Sequence, residues 1–242
     1  MPSFWRVVNK VIREADILLH VVDARDLKGT RNIEIENKVA RAGKKLILVV
    51  NKCDLVERAQ LEKTLSGMKD VVFVSSTEYH GIKMLKDRII IHGKQFGFKP
   101  RVGVLGYPNV GKSSLSNAMK GKGVARTSSQ SGFTKGAQYV ATKHFLLLDT
   151  PGVLSYEEKD KDRQAMMGTT DFSKVKDPIS GVHRIQEEYP GLLERFYDVG
   201  ADELVEEVAV KMGLLRKGGV PDEERSAKYI LRDWQTGKIR KD

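Results

Sequence analysis

The sequence predicts an α/β domain built on a mostly parallel six-stranded sheet flanked by helices, followed by a small C-terminal all-α domain. Six short apolar runs alternate with helical patterns, which is typical of a parallel sheet covered by helices. The runs are apolar throughout, as expected for strands that are buried on both faces. After residue 152 the alternation ends, and a charged stretch leads into segments whose apolar residues have helical spacing.

In chain order, the predicted strands cover residues 15–22, 45–50, 71–74, 101–105, 138–142 and 145–148. The predicted helices between them cover residues 5–14, 32–42, 58–65, 83–92 and 112–119. Two C-terminal segments each place four apolar side chains on one helical face, namely Leu204, Val205, Val208 and Met212, then Ala227, Ile230, Leu231 and Trp234. We therefore predict a first domain over residues 1–168 and a helical domain over residues 169–242.

The composition argues against a membrane or a disulfide-stabilised secreted protein. No apolar run approaches the roughly 18 to 20 residues needed to span a bilayer. Cys53 is the single cysteine, so an internal disulfide is excluded, and this fits a reducing compartment. We expect a cytoplasmic monomer without membrane contact.

The positive charge is concentrated in the first part of the chain. The net charge is +10, with 26 Lys and Arg against 13 Asp and Glu up to Gly152, and 16 against 19 after it. A basic excess favours a polyanionic partner such as RNA, because protein cations release the counterions of the phosphates. A surface that is merely well solvated is the alternative, and charge alone does not decide between them.

Residues 106–113 (GYPNVGKS) form a phosphate-binding loop. They fit G-x-x-x-x-G-K-[ST] and lie between a predicted strand and a predicted helix, which is the context that this motif requires. Glycines let backbone N–H groups close around a polyphosphate, and the following helix directs its N-terminus at it. We expect Lys112 to contact the β- and γ-phosphates and the Ser113 hydroxyl to bind Mg²⁺. The residues assigned to this loop are Asn109, Val110, Gly111, Lys112, Ser113 and Ser114.

A second loop, residues 149–152 (DTPG), follows the last predicted strand. Asp149 at the strand tip is a candidate for the Mg²⁺ shell, and Gly152 can offer its amide to the γ-phosphate. An ordinary Asp-Thr-Pro-Gly turn is the structural alternative. In the polar loop 129–136, Thr134 is the best candidate for a second hydroxyl on Mg²⁺, although a plain solvent loop also fits. We assign Lys112, Thr134 and Gly152 to stabilising the transferring phosphoryl group.

Residues 51–54 (NKCD) predict that the base is guanine. The Asp54 carboxylate can accept two hydrogen bonds from the guanine ring N–H and exocyclic amine, which adenine lacks in that arrangement. Asn51 can brace the loop and meet the base, and the Lys52 stem can cover its face. Ser75, Ser76 and Thr77 end another short strand and suit a loop whose backbone N–H meets the guanine O6. An isolated N-K-x-D is weak, but it becomes specific beside the phosphate loop.

The base-recognition loops precede the phosphate loops, which reverses the order of most regulatory GTPases. The sequence is therefore circularly permuted, and it resembles the permuted GTPases of the YlqF/RbgA type. The resemblance rests on residues 22–25 (VDAR), Arg31-Asn32, the NKCD, GYPNVGKS and DTPG loops, and a closing helix with Asp233, Gly237 and Lys238. It covers most of the chain, loosely between residues 155 and 220.

The resemblance implies a GTP hydrolase that acts as a nucleotide-dependent switch in large ribosomal subunit assembly, with rRNA or a subunit precursor as its partner. It also implies that Asn109 holds K⁺, with a simple cap on a turn of the loop as the alternative. The segment before the first helix lacks the histidine of a Gly-His-Met element that family members often carry. Val153 stands where other GTPases have a water-positioning Gln, so we expect slow hydrolysis. A tRNA-modification GTPase and a protein-binding adaptor without RNA contact are the alternatives.

Overall fold

The computed structural model describes residues 4–120, 138–149, 165–166 and 171–239, and for Phe4, Arg58, Gln60, Gln138 and Asp149 it describes only the backbone. The chain divides into two compact units, residues 1–156 and 157–242. The domain boundary predicted at residue 168 lies inside the second unit.

In its described residues, the first unit contains six strands and six α-helices. The strands are β1 (Ile17–Asp23), β2 (Lys45–Asn51), β3 (Val71–Phe73), β4 (Arg101–Leu105), β5 (Gln138–Ala141) and β6 (Leu146–Asp149). The helices are α1 (Phe4–Glu14), α2 (Leu27–Thr30), α3 (Ile33–Arg41), α4 (Arg58–Thr64), α5 (Ile82–Gly93) and α6 (Lys112–Lys120). The strand order is β3-β2-β1-β4-β6-β5, and only β5 runs antiparallel to its neighbour β6. The predicted six-stranded, mostly parallel sheet is therefore confirmed.

The central strands are buried along most of their length, as their uninterrupted apolar runs predict. Every residue of β1 is buried, and the last five residues of β2 are buried. On one face, α1 and α3 cover the sheet with an apolar cluster that includes Val8, Val11, Ile35 and Val39. Burial of such side chains stabilises the unit by about 25 cal/mol for each Å² of apolar surface removed from water.

Two local features differ from the sequence-based expectation. Strand β1 begins at Ile17 rather than at residue 15, because the Ala15 N–H still bonds to the Val11 carbonyl oxygen at 2.9 Å and so closes the last turn of α1. The short helix α2 was not predicted. It forms because the Asp26 carboxylate accepts a hydrogen bond from the Gly29 N–H, 2.8 Å away, and so caps its N-terminus.

The second unit is helical over most of its described residues. Its helices are α7 (Pro178–Glu188), α8 (Leu192–Tyr197), α9 (Leu204–Lys211) and α10 (Glu223–Gln235), with a 3₁₀ turn at Phe172–Lys174. The two predicted apolar faces are buried, apart from Met212, which is 39% exposed. Among the described residues, no helix is long and apolar enough to cross a bilayer.

Candidate nucleotide-binding site

The predicted nucleotide loops gather at one edge of the sheet. Strands β1, β2, β3, β4 and β6 are parallel, so their carboxyl ends lie at the same edge, which we call the carboxyl edge. The NKCD loop follows β2, the Ser75 loop follows β3, and the phosphate loop follows β4. The strand order changes direction between β1 and β4. Strands β1, β2 and β3 extend the sheet to one side, and β4, β6 and β5 extend it to the other. Ligands of open α/β sheets bind at such a switch point.

The phosphate loop depends on backbone conformations that favour glycine. Gly106 has φ 144° and Gly111 has φ 91°. A Cβ at Gly106 would lie 2.3 Å from the Val21 carbonyl oxygen, and one at Gly111 would lie 2.2 Å from the Asn51 Nδ2. Both positions therefore exclude a side chain, for steric as well as conformational reasons.

Lys112 opens α6 and folds back over the loop. Its Nζ donates a hydrogen bond to the Tyr107 carbonyl oxygen, and burial lowers the pKa of Lys112 to about 8. The Leu115 N–H bonds to the Gly111 oxygen at 2.8 Å, so regular helix geometry starts at the last glycine of the motif. Ser113 and Ser114 are exposed in the first turn of α6. The amino group of Lys112 is thus held at the loop, with a neutral carbonyl as its partner.

Asn51 joins three loops. Its side chain is buried, and its Nδ2 donates to the Val110 carbonyl oxygen in the phosphate loop at 2.8 Å. Its Oδ1 accepts hydrogen bonds from the Ser76 N–H at 3.2 Å and the Ser76 hydroxyl at 2.8 Å. One amide therefore uses both ends to fasten the NKCD loop to the loops after β4 and β3.

Lys52 makes a second bridge to the phosphate loop. It adopts the left-handed region at φ 63°, and its Nζ donates to the Asn109 carbonyl oxygen at 2.8 Å. The same Nζ lies 2.8 Å from the Asp23 carboxylate at the end of β1, and this carboxylate also binds the Arg25 guanidinium at 2.8 Å. Burial would raise the pKa of Asp23, but the charges of Arg25 and Lys52 outweigh it and hold that pKa well below its usual range.

Asp54 lies in a 3₁₀ turn, Cys53–Leu55, directly after this bridge. Its Oδ1 is buried, and no hydrogen-bond partner for it is present among the described residues. The neighbouring Ser75 loop is closed on itself, because the Ser75 N–H bonds to the His80 oxygen and the Ser75 hydroxyl accepts from the Glu78 N–H. The Thr77 hydroxyl lies 3.3 Å from the Ser75 hydroxyl. The base-recognition region is thus preformed, with one carboxylate oxygen left to bind a ligand.

A polar network supports the phosphate loop from the side of α3. The Asn32 side chain donates to the Tyr107 hydroxyl at 3.3 Å, and the Asn32 N–H donates to Nε2 of the fully buried His20. Glu36 binds the Arg31 guanidinium through two contacts of 2.7 and 2.8 Å. Burial raises the pKa of Glu36, but hydrogen bonds and charges from Arg31 and His20 outweigh it, and the pKa falls to about 2.

Part of the predicted site lies outside the described residues, namely Thr134 and Gly152. The backbone of Asp149 ends β6 next to β4, which places it beside the beginning of the phosphate loop. Asn109 is exposed and has φ 57°, so its backbone forms a left-handed turn whether or not its side chain binds an ion. Within the described ranges, no group of three His, Cys, Asp or Glu side chains could hold a metal ion.

Sequence reasoning did not assign Asp23, Arg25, Asn32 and Tyr107 to the site. Asp23, Arg25 and Asn32 stand in segments that carried the family resemblance, but no role followed from their residue types. A carboxylate at the end of a central apolar strand was the available signal, because that position lies at the carboxyl edge of a parallel sheet.

Comparisons with known proteins agree with this geometry. A family model described as "50S ribosome-binding GTPase" matches residues 101–206. An uncharacterized GTP-binding protein of Methanocaldococcus jannaschii is 42% identical over 97% of this chain and 65% of its own length. Nucleolar GTP-binding protein 2 of Saccharomyces cerevisiae is 36% identical over 97% of this chain and 52% of its own. The chain thus spans between half and two thirds of these two relatives.

Among solved structures, GNP-bound YlqF from T. maritima matches with a TM-score of 0.68 at 25% identity. The match covers 98% of this chain and 94% of that one. The match therefore includes residues of both units of the chain.

Proposed function

Because the chain belongs to the circularly permuted GTPases of the YlqF type, we propose that it binds GTP, hydrolyses it slowly, and acts as a nucleotide-dependent switch in large ribosomal subunit assembly. The observation that carries the proposal is the joined set of three loops at the carboxyl edge. Asn51 and Lys52 connect the guanine-recognition loop to the phosphate loop through hydrogen bonds of 2.8 Å. Base and phosphate recognition are thereby held at a constant separation.

Guanine selection is supported by Asp54. A buried carboxylate oxygen without a hydrogen-bond partner is unfavourable, so a ligand that donates to it gains affinity. Guanine presents two adjacent donors, its ring N–H and its exocyclic amine, which match the two oxygens of a carboxylate. The chain's own residues would thus distinguish GTP and GDP from adenine nucleotides.

Phosphate binding would displace the Tyr107 carbonyl from Lys112. In place of that neutral partner, the Lys112 amino group would meet the β- and γ-phosphate oxygens. Their negative charge would raise the pKa of Lys112 back toward its usual value. The Lys112 charge and the amides of the loop then stabilise the charge that develops on the transferring group. Val153 stands where a Gln would position the attacking water, which supports a slow intrinsic rate.

The donor set fits Mg²⁺. The hydroxyl of Ser113 and the carboxylate of Asp149 are hard oxygen ligands, and parallel β4 and β6 bring both segments to the same edge. A bound Mg²⁺ would offset charge between the β- and γ-phosphates. Thr134 completes the proposed set, and Asn109 is the proposed ligand for K⁺.

The ribosomal role rests on the basic first part of the chain and on the relatives. The matched family model carries the description "50S ribosome-binding GTPase", and one relative is a nucleolar GTP-binding protein. We propose rRNA or a large-subunit precursor as the partner, and the closing helix α10, with Arg225, Lys228 and Arg232, as one contact. The predicted monomeric state and cytoplasmic location remain predictions.

The proposal is tested by gradient sedimentation of the protein with ribosomal particles. With a non-hydrolysable GTP analogue, the protein should co-migrate with large subunits or their precursors, and with GDP it should remain near the top. Lys112→Ala is the matched control, because it should fail to co-migrate with either nucleotide. Binding of GTP without any nucleotide-dependent co-migration would overturn the ribosomal role and favour a tRNA-modification enzyme or a protein adaptor.

A further inference from the structure

The opposite edge of the sheet carries a second feature, distinct from the nucleotide site. The amino ends of β2, β3, β4 and β6 lie there. A lysine is the first residue of β2, and another stands in the turn that leads into each of the other three strands. These residues are Lys45, Lys69, Lys99 and Lys143, and Lys94 follows α5 at the same edge. All five side chains are exposed, and none has an ion-pair partner in the described part of the chain.

One aromatic side chain stands among these lysines. Phe98 is 60% exposed, and Phe96 lies beside it with ring centroids 5.8 Å apart. Gly97 between them has φ 68°, a turn conformation that favours glycine. Lys99 follows directly, and its Nζ donates to the Thr142 oxygen at 3.4 Å, which joins it to the turn that contains Lys143. We call Phe98 and the five lysines the amino-edge surface.

Two carboxylates at this edge are paired with cations of the same unit. Asp16 binds Arg101 at 2.8 Å, and Asp70 binds Arg88 and His92, each at 2.9 Å. Glu14, at the end of α1, has the Arg101 charge nearby, although its buried Oε2 has no hydrogen-bond partner among the described residues. The amino-edge surface therefore keeps a positive field that its own acidic neighbours do not cancel.

Helix ends explain part of this surface, but not all of it. Helices α3, α4 and α5 end at the same edge, and helix C-termini favour cations. That effect accounts for individual lysines, whereas it gives no reason for an exposed phenyl ring. An aromatic ring among unpaired cations is the combination that binds unpaired nucleotides, with bases stacked on the ring and phosphates on the lysines.

We propose that the amino-edge surface binds a single-stranded segment of RNA, with one base stacked on Phe98. This deepens the proposed function, on which it rests, by placing an RNA contact at the end of the first unit remote from the nucleotide. From β3 to β6 the edge spans four strand spacings, roughly 20 Å. Such a length accommodates a site of several nucleotides, as in other single-strand binding proteins.

The test uses the full chain and a fluorescein-labelled 12-residue oligouridine, with affinity measured by anisotropy at several salt concentrations. Phe98→Ala should weaken binding about tenfold, within the range of base–aromatic stacking, and Phe98→Tyr should retain it. Lys143→Gln should lower the salt slope of log K by about 0.7, the value for one phosphate contact on a single strand. Met84→Ala and Lys83→Gln are the matched controls, since both residues are exposed in the first turn of α5, at the end of the helix away from this surface, and both variants should bind as the unchanged protein does.

The possible results of this experiment separate the RNA-binding inference from the ribosomal proposal. All variants should keep their GTP affinity and thermal midpoint, because the surface lies at the other edge from the nucleotide loops. If the unchanged protein binds the oligouridine and Phe98→Ala binds equally well, the inference is wrong while the ribosomal proposal stands. If it binds neither oligouridine nor ribosomal particles, both fail. Two further results would overturn the inference, because they would show that the surface responds to charge alone. One is an affinity for duplex RNA equal to that for the oligouridine, and the other is displacement of the labelled oligouridine by polyglutamate as readily as by unlabelled oligouridine.

Discussion

Replacing Asn51 with Ala tests whether one buried amide holds the nucleotide loops together. The substitution removes the hydrogen bond to the Val110 oxygen and both hydrogen bonds from Ser76. It also leaves the Val110 carbonyl and the Ser76 N–H without their buried partner. The loops after β2, β3 and β4 lose the connection that sets their spacing.

The magnitude follows from these contacts. Three hydrogen bonds contribute about 0.5 to 1.5 kcal/mol each, and each buried group left unpaired costs about 1 to 3 kcal/mol, although the two effects overlap. We expect a loss of roughly 3 kcal/mol in the free energy of unfolding. For a unit of this size, that lowers the thermal midpoint by roughly 6 to 12 °C. GDP affinity should fall as well, because the base and phosphate loops no longer share a brace.

The assays are thermal unfolding without nucleotide and titration with a fluorescent GDP analogue. Ser76→Ala is the graded control, since it removes only the 2.8 Å hydroxyl contact and should lose about 1 kcal/mol. Asn51→Asp keeps the shape and the acceptor for Ser76 but turns a carboxylate oxygen toward the Val110 oxygen, so it should destabilise at least as much as Asn51→Ala. An Asn51→Ala protein that melts within about 1 °C of the unchanged protein and binds GDP equally well would refute the reasoning.

Three further predictions concern charge. Lys112→Ala should weaken GTP binding on the order of 100-fold or more in a fluorescent nucleotide titration, because a charged contact to two phosphates is lost, and retained affinity would contradict the phosphate-loop assignment. Asp54→Asn should exchange the preference for guanine for one for xanthine nucleotides, measured by competition, whereas an unchanged preference would contradict the base assignment. Glu36 has a pKa of about 2 in the folded protein against an ordinary 4.5. Its contribution to the free energy of unfolding is therefore complete above pH 4.5 and is lost as the pH falls through 2. The stability deficit of Arg31→Met in urea should therefore shrink over that window, and a constant deficit at pH 7, 5 and 3 would contradict this.

The sheet and its loops could be predicted because their signals are local. An uninterrupted apolar run such as residues 45–50 indicates a strand buried on both faces wherever its neighbours lie, and β2 occupies this run. The motif G-x-x-x-x-G-K-S carries its own conformational requirement, and Gly106 and Gly111 have the positive φ values that it implies. Capped ends were harder to predict, since α2 depends on a single Asp26 side chain that turns back on Gly29.

The sequence by itself was enough to predict which residues would meet phosphate and base, because those tasks demand particular residue types at particular spacings. It did not determine that Asn51 and Lys52 bind the phosphate loop, across separations of 59 and 57 residues. Only the strand order decided this, by placing β1 between β2 and β4 and bringing Asp23 to the same edge. Periodicity reports which side of an element is buried, whereas the neighbour of a strand depends on packing between distant segments. The same reason holds at the opposite edge, where lysines scattered between residues 45 and 143 became one surface only when the sheet was assembled.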